Sequence, residues 1–158
     1  MENVKIFVRN SEEMEGEMPN LFKEYPQIIH VNANEFVPVS GRMRFNPQNK
    51  PVHGAIILVY APWCPHCNDR EWQEKYSALG NFLNRNGSRA YAMNATVPAN
   101  LEWTDKMNIN GLPTILMANR QGEMREYEGD RELTPMVKDL VDYLVKTNEK
   151  PKRKGSRR

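Results

Sequence analysis

Ten residues constrain this chain more than any other stretch: LVYAPWCPHC, Leu58 to Cys67. The apolar, β-branched run that leads into them, Ala55 to Tyr60, has the length and composition of a buried strand. It breaks at Pro62, and a polar, amphipathic stretch begins directly after Pro65. This pattern places Cys64 at the start of a helix, with Cys67 one turn further in. The unpaired N–H groups and positive dipole end at such a start favour a thiolate over a thiol. Pro65 suits the first helical positions, where its missing N–H is no loss. A protonated His66 adds positive charge beside Cys64. No other cysteine is present. A closed zinc site needs four ligands, and His30 and His53 stand at no recognisable ligand spacing, so no metal is expected and no cofactor beyond the dithiol itself.

The chain has 158 residues, 39% hydrophobic and 27% charged, which suits one globular domain with a real core. No run approaches the roughly 20 apolar residues of a membrane span. MENVKIFVRN carries no apolar segment of signal-peptide length. The chain as given therefore reads as intracellular and cytoplasmic, and as secretory if a signal was trimmed. In a cytosolic setting a Cys-x-x-Cys pair favours redox catalysis over a structural disulfide. Asn86-Gly87-Ser88 and Asn94-Ala95-Thr96 match the glycosylation pattern, and in an Asn-rich chain chance explains them. Six of the 22 basic residues lie from Lys150 onward, where there are no acids, so the body carries 16 basic against 20 acidic residues. A cationic tail, disordered on composition over 148–158, follows a mildly acidic domain. Its charges could bind phosphate non-specifically, a weak basis for nucleic-acid contact.

Along the chain, Val4–Val8 is a short strand candidate, and Asn10 can cap an acidic helix that runs to Pro19. Residues 1–26 are expected as an extension packed on the core. Ile28–Val31 reads as the first core strand. Residues 37–54 have three prolines, two glycines and three basic residues, and read as a long irregular loop in which Arg42, Arg44 and Lys50 are available to a partner. Trp72, Tyr76, Leu79 and Leu83 line one face of a long helix that Gly87 ends. Arg89–Asn94, Thr114–Ala118 and Met124–Tyr127 are strands, the last two joined by a turn at Gln121-Gly122. Leu101–Met107 is a short helix. Thr134 and Pro135 open a final helix whose buried face holds Val137, Leu140, Val141 and Leu144. The order βαβ then ββα gives an α/β architecture, a central mixed sheet with helices on both faces.

APWCPHC, Ala61 to Cys67, resembles the active site of the thioredoxin superfamily. Its first half is similar to the catalytic domains of protein disulfide isomerases, and its Pro-His pair to the bacterial periplasmic thiol oxidase. GLPTIL, Gly111 to Leu116, resembles the family's cis-proline loop and following strand. YEGDRE, Tyr127 to Glu132, resembles the stretch before the last helix of the isomerase domains. The resemblance spans about Gln27 to Lys146, which makes 27–147 a thioredoxin-like domain. It implies that Cys64 is the exposed nucleophile and Cys67 the resolving thiol. It also implies that Leu112 and the cis-proline Pro113 dock an extended substrate, over an apolar floor of Trp63, Pro65 and Leu112. Three departures stand out. The family's buried carboxylate aligns with Leu58, its lysine or equivalent in the neighbouring strand with Ala92, and the proline of its active-site helix with Trp72.

The expected function is thiol–disulfide exchange on protein thiols, with an unidentified redox partner and a bias toward oxidation or isomerisation. A Cys64 pKa of roughly 4 would make the couple about 90 mV more oxidising than an ordinary dithiol. Two settings fit an oxidant: a secreted chain without its signal, or a dedicated cytoplasmic disulfide pathway of the kind large DNA viruses carry. The alternative is a binding or structural component of the same fold that docks through the basic tail or the 37–54 loop.

Overall fold

The apolar run at Ala55–Tyr60 becomes the central strand of a five-stranded sheet, with all six side chains buried. The computed structural model describes residues 17–156, with side chains through Thr147. In chain order these form β1 (Ile29–His30), a 3-10 turn (Ala33–Glu35), β2 (Phe36–Val39), β3 (Arg42–Phe45), β4 (Ala55–Tyr60), α1 (Arg70–Arg85), β5 (Arg89–Asn94), α2 (Pro98–Lys106), β6 (Thr114–Ala118), β7 (Met124–Tyr127) and α3 (Leu133–Ser156). The large sheet has the order β1-β5-β4-β6-β7. β1, β5 and β4 run parallel, while β6 and β7 pair antiparallel, so the sheet is mixed as the element order predicts.

The two faces are covered differently. On one, Tyr60 of β4 meets the Phe22 ring, which also meets Tyr76 of α1, and α1 packs alongside α3. On the other, Tyr91 of β5 packs edge-on against Phe45 of β3, and Phe36 of β2 stacks at 4.3 Å on Trp103 of α2. The second contact corrects the expected loop at 37–54. β2 and β3 form an antiparallel hairpin, with Val39 opposite Arg42 and Phe36 opposite Phe45. Its two connecting residues, Ser40 and Gly41, both have positive φ (54° and 81°), the backbone that matches the twist of paired strands. Pro38 is tolerated because it faces Met43 one pair beyond the hydrogen-bonded Val39–Arg42 pair that closes the turn, and the alternation of the ladder makes that next pair a non-hydrogen-bonded one. Arg44 is bound to Glu123 at 3.5 Å.

The strand expected at Val4–Val8 and most of the helix from Asn10 fall in residues 1–16, outside the described ones. From Glu17 the chain lies as a strap across the end of the sheet where β4 and β5 finish. The Met18 N–H donates to Thr96 Oγ1, and Asn94 Nδ2 donates to Met18 O and Asn20 Oδ1. Asn94, the first residue of a glycosylation-like triplet, is thus a buried anchor for the strap. Phe22 is buried among the rings of Tyr25, His30, Tyr60 and Tyr76.

α3 continues to Ser156, past Asn148, where composition predicts a disordered tail. Its apolar face also differs from expectation. Leu140 and Leu144 are buried, but Val141 is 49% exposed. The apolar stripe is wider than the strip of α3 that is buried, and Val141 falls on its exposed side.

Candidate active site

β4 carries the chain to Ala61, and the cysteines follow in a single tight turn. The Cys64 N–H donates to Ala61 O, and the N–H groups of Cys67 and Asn68 donate to Cys64 O at 3.0 and 2.9 Å. Asn68 Nδ2 ties the turn back to Pro62 O. The turn then stops. Asp69 is extended (φ −84°, ψ 128°) and its carboxylate accepts the Trp72 N–H at 2.9 Å, so α1 starts at Arg70. The expectation that the helix begins at Cys64 is therefore corrected. A strong N-cap residue, Asp69, claims the helix end, and the positive pole of α1 faces that carboxylate rather than the sulfur.

The thiol of Cys64 is nevertheless lowered, to about 6, from within the turn itself. The largest cause is a hydrogen bond from the Cys67 thiol. Burial opposes it, and the backbone N–H groups of Cys67 and His66 and the charge of His66 add to it. Cys67 moves the other way. The proton it shares with Cys64 and its own burial push it far up, against small opposing effects from the Ala61 N–H and the Arg131 guanidinium. The two thiols are unequal by construction. One ionises easily and the other holds its proton.

Both cysteines are reduced and closed from solvent, at 0% and 1% exposure. This differs from the exposed nucleophile that the resemblance implies. The cause is the loop before β6, where the Leu112 carbonyl oxygen lies 3.8 Å from Cys64 Sγ. The Leu112–Pro113 peptide is cis. The structure thus brings Cys64, Cys67, Leu112 and Pro113 together. The side chains of Leu112 and Pro113 are buried, Trp63 is half-buried, and Pro65 and His66 are exposed. A groove of about 800 Å³ runs beside the turn, with Pro65, His66 and Trp72 on one side and Pro113 and the segment from Glu126 to Arg131 on the other.

Beneath the turn, Leu58 pairs with Ala92 in register and is fully buried, so this level of the sheet holds neither a carboxylate nor a lysine. Two residues along β4, on the same face, the Tyr60 hydroxyl accepts the Leu21 N–H at 2.9 Å and lies 2.7 Å from His30 Nε2. The hydroxyl thus ties the Leu21 backbone and the His30 ring to the end of β4. Burial lowers His30 to about 4 and pushes Tyr60 up, with the nearby Cys67 charge adding to the latter. Sequence reasoning missed this pair and also Arg131, whose half-buried guanidinium faces Cys67. The signal for Arg131 was present in YEGDRE; for the pair it was only the titratable His30 in an otherwise apolar strand.

The thioredoxin family model matches residues 42–142. The chain belongs to the thioredoxin family. Protein disulfide-isomerase A3 of Gallus gallus is 36% identical over 105 residues, 63% of this chain and 18% of that protein. The protein disulfide-isomerase of Datisca glomerata is 26% identical over 122 residues, 75% of this chain and 23% of that protein. The domain is thus isomerase-like within the thioredoxin family, and it spans about a fifth of the length of these relatives. A solved fragment of ERdj5 superposes with a TM-score of 0.60 at 16% identity, covering 78% of this chain and 55% of the fragment, a likeness of fold. The thioredoxin-family core holds no helix, among the described residues, long and apolar enough to cross a membrane.

Proposed function

We propose that this chain is a protein thiol–disulfide oxidoreductase, with Cys64 as nucleophile and Cys67 as resolving thiol. The observation that carries the reading is the opposite displacement of the two thiols within one turn. Exchange needs a thiolate to attack and a second thiol to release the mixed disulfide. In the reductive direction, the Cys64 thiolate attacks one sulfur of a substrate disulfide, and the other substrate sulfur leaves as a thiolate. Cys67 then loses its proton and attacks Cys64 Sγ. A Cys64–Cys67 disulfide forms, and the second substrate thiolate is released. Oxidation is the same path reversed: two substrate thiols lose two electrons and two protons as the Cys64–Cys67 bond is reduced. The Leu112–Pro113 backbone and the groove beside His66 offer an extended substrate its track, with Trp63 and Pro65 as apolar contacts.

An oxidising or isomerising bias is supported by the lowered Cys64 and by Leu58, which sets no buried negative charge against the thiolate. The size is smaller than the sequence alone predicts. A Cys64 pKa of about 6, against about 8.5 for a free thiol, stabilises the reduced form by roughly 1.4 kcal/mol at pH 7. That corresponds to about 30 mV toward oxidant rather than about 90 mV. Net oxidation requires a partner or compartment that removes electrons from the dithiol. Alkylation against pH tests the reading. Cys64 should react with a midpoint near pH 6, Cys67 should stay unmodified, and equilibration with glutathione should give a potential above thioredoxin's. Faster alkylation of Cys67 would overturn the roles, and a potential as low as thioredoxin's would overturn the bias.

A further inference from the structure

At the end of the sheet away from the cysteines, α1 and α3 leave between them a groove of about 480 Å³. Its floor is the inner part of the α3 stripe, Leu140 and Leu144, which rests on the sheet. Its walls are the outer part of that stripe, Val141 and Val145, exposed by 49% and 53%, and Phe82 of α1, exposed by 37%. These are three of the five large apolar side chains that the described residues expose. Among the described residues, Arg120 is the groove's only charged side chain, His53 also lines it, and no carboxylate does. Arg120 makes no ion pair among the described residues, where five such pairs are formed elsewhere.

We infer that this groove docks an acidic amphipathic helix of a second protein. The shape selects a helix. The exposed stripe of α3 follows helical spacing, and a third helix can lay its own i, i+3, i+4, i+7 stripe into the seam. A strand placed there would leave its backbone N–H and C=O groups against valine and phenylalanine. The charge selects the sign, since an apolar cleft whose described lining has a guanidinium and no carboxylate complements Glu and Asp. The other end of the molecule disfavours the same ligand, because the groove beside His66 is lined by Asp69, Glu126, Glu128 and Asp130 against one arginine, Arg131. A second copy of this chain fits poorly, since a two-fold contact would set Arg120 near Arg120. The chain's own first residues fit poorly: the acidic stretch 11–17 holds a single large apolar residue, Met14, and so no i, i+3, i+4, i+7 stripe, while Val4, Ile6 and Val8 before it alternate at strand spacing beside Lys5 and Arg9. The six residues of β4, about 20 Å, separate the groove from the cysteines, so a docked helix leaves Cys64 free.

The test titrates the full chain with two synthetic helical peptides. Both carry Leu at i, i+3, i+4 and i+7; the remaining positions are Glu in one and Lys in the other. The Glu peptide should bind about tenfold more tightly, and the gap should narrow as salt rises. Arg120→Glu should invert the order. Val141→Asp and Val145→Asp, both at half-exposed positions, should each weaken binding about tenfold or more, with Cys64 alkylation unchanged throughout. Equal affinities, no binding, or binding indifferent to Val141→Asp and Val145→Asp would overturn the inference. Self-association in sedimentation that Val141→Asp abolishes would reassign the groove to a second copy. A photo-cross-linker at Val145 that captures residues 1–16 of the same chain would reassign it to that segment, and phosphatidylserine vesicles displacing the Glu peptide would reassign it to a membrane surface.

Discussion

Two buried polar sites lie side by side where β4 ends, and they treat charge in opposite ways. In the cysteine turn, Cys64 is sealed from solvent yet ionises near 6. In the clamp formed by Leu21, Tyr60 and His30, the imidazole is held neutral down to about 4. Burial alone acts against charge in both. The difference lies in which partners are supplied. The Cys67 thiol first, and then the backbone N–H groups of Cys67 and His66, favour the Cys64 anion. His30 Nε2 has the neutral Tyr60 hydroxyl at 2.7 Å, which brings no charge to offset burial, and burial is what lowers it. Low dielectric thus amplifies whatever hydrogen-bond polarity the backbone presents.

The largest effect falls on the cysteine side of this comparison. Cys64→Ser should abolish exchange with protein disulfides, because a hydroxyl supplies no comparable nucleophile near neutral pH. Cys67→Ser should trap mixed disulfides, and Cys67→Ala, which removes the donor altogether, should raise the Cys64 midpoint, since the hydrogen bond from that side chain is the largest cause of its lowering. A Cys67→Ala protein whose Cys64 still titrates near 6 would show that the backbone N–H groups suffice alone.

The clamp gives the next effect, in stability. His30 is lowered in the fold, so its contribution is full above the unfolded value of about 6.5 and declines as pH falls toward 4. The full window of about 2.5 units corresponds to roughly 3 kcal/mol, and partial exposure of the ring reduces this to about 2 kcal/mol. Urea midpoints between pH 7 and pH 4 measure it. His30→Phe should flatten that part of the profile, and an unchanged slope would remove the clamp from the account. Tyr60→Phe should lower stability at every pH, by about 1–3 kcal/mol, because it strands the Leu21 N–H.

Asp69 sharpens the comparison from outside both sites. Asp69→Ala removes the cap of α1 and should lower stability by about 1 kcal/mol, while the Cys64 alkylation midpoint stays within a few tenths of a unit. A fall of a full unit would mean that the helix pole does reach the sulfur once the carboxylate is gone.

These contrasts also show what could be read in the sequence. β4, β5, the β6–β7 turn and the cysteine pair were legible, because a continuous apolar run, a Gln-Gly turn and an x-x spacing each act locally. The hairpin at 36–45 was hidden by its proline and glycine content, although Ser40-Gly41 between two apolar-ended runs is a turn signal. The start of α1 was misplaced because Pro65 and Asp69 both suit a helix start, and only the fold shows which one caps. The partial exposure of Val141 and the closure over Cys64 depend on what packs opposite, which periodicity does not encode. The His30–Tyr60 bond joins residues 30 positions apart, so neither residue announces it alone.

The smallest effect concerns His66, whose identity between the cysteines drew attention first. In the structure its side chain is exposed, and its charge is the last of the causes that lower Cys64, after the Cys67 thiol and the two backbone N–H groups. Water and salt screen an exposed charge, whereas N–H groups fixed in a turn act at hydrogen-bond distance. His66→Ala leaves the backbone donors in place and should raise the Cys64 midpoint by no more than about half a unit. Half a unit is about 0.7 kcal/mol, or about 15 mV toward a more reducing couple. The shift should shrink further at high salt, while the larger effect of Cys67→Ala should not. Paired alkylation curves at low and high ionic strength separate the two. A shift of a full unit from His66→Ala would return control of the thiolate from the turn's backbone to a single side chain.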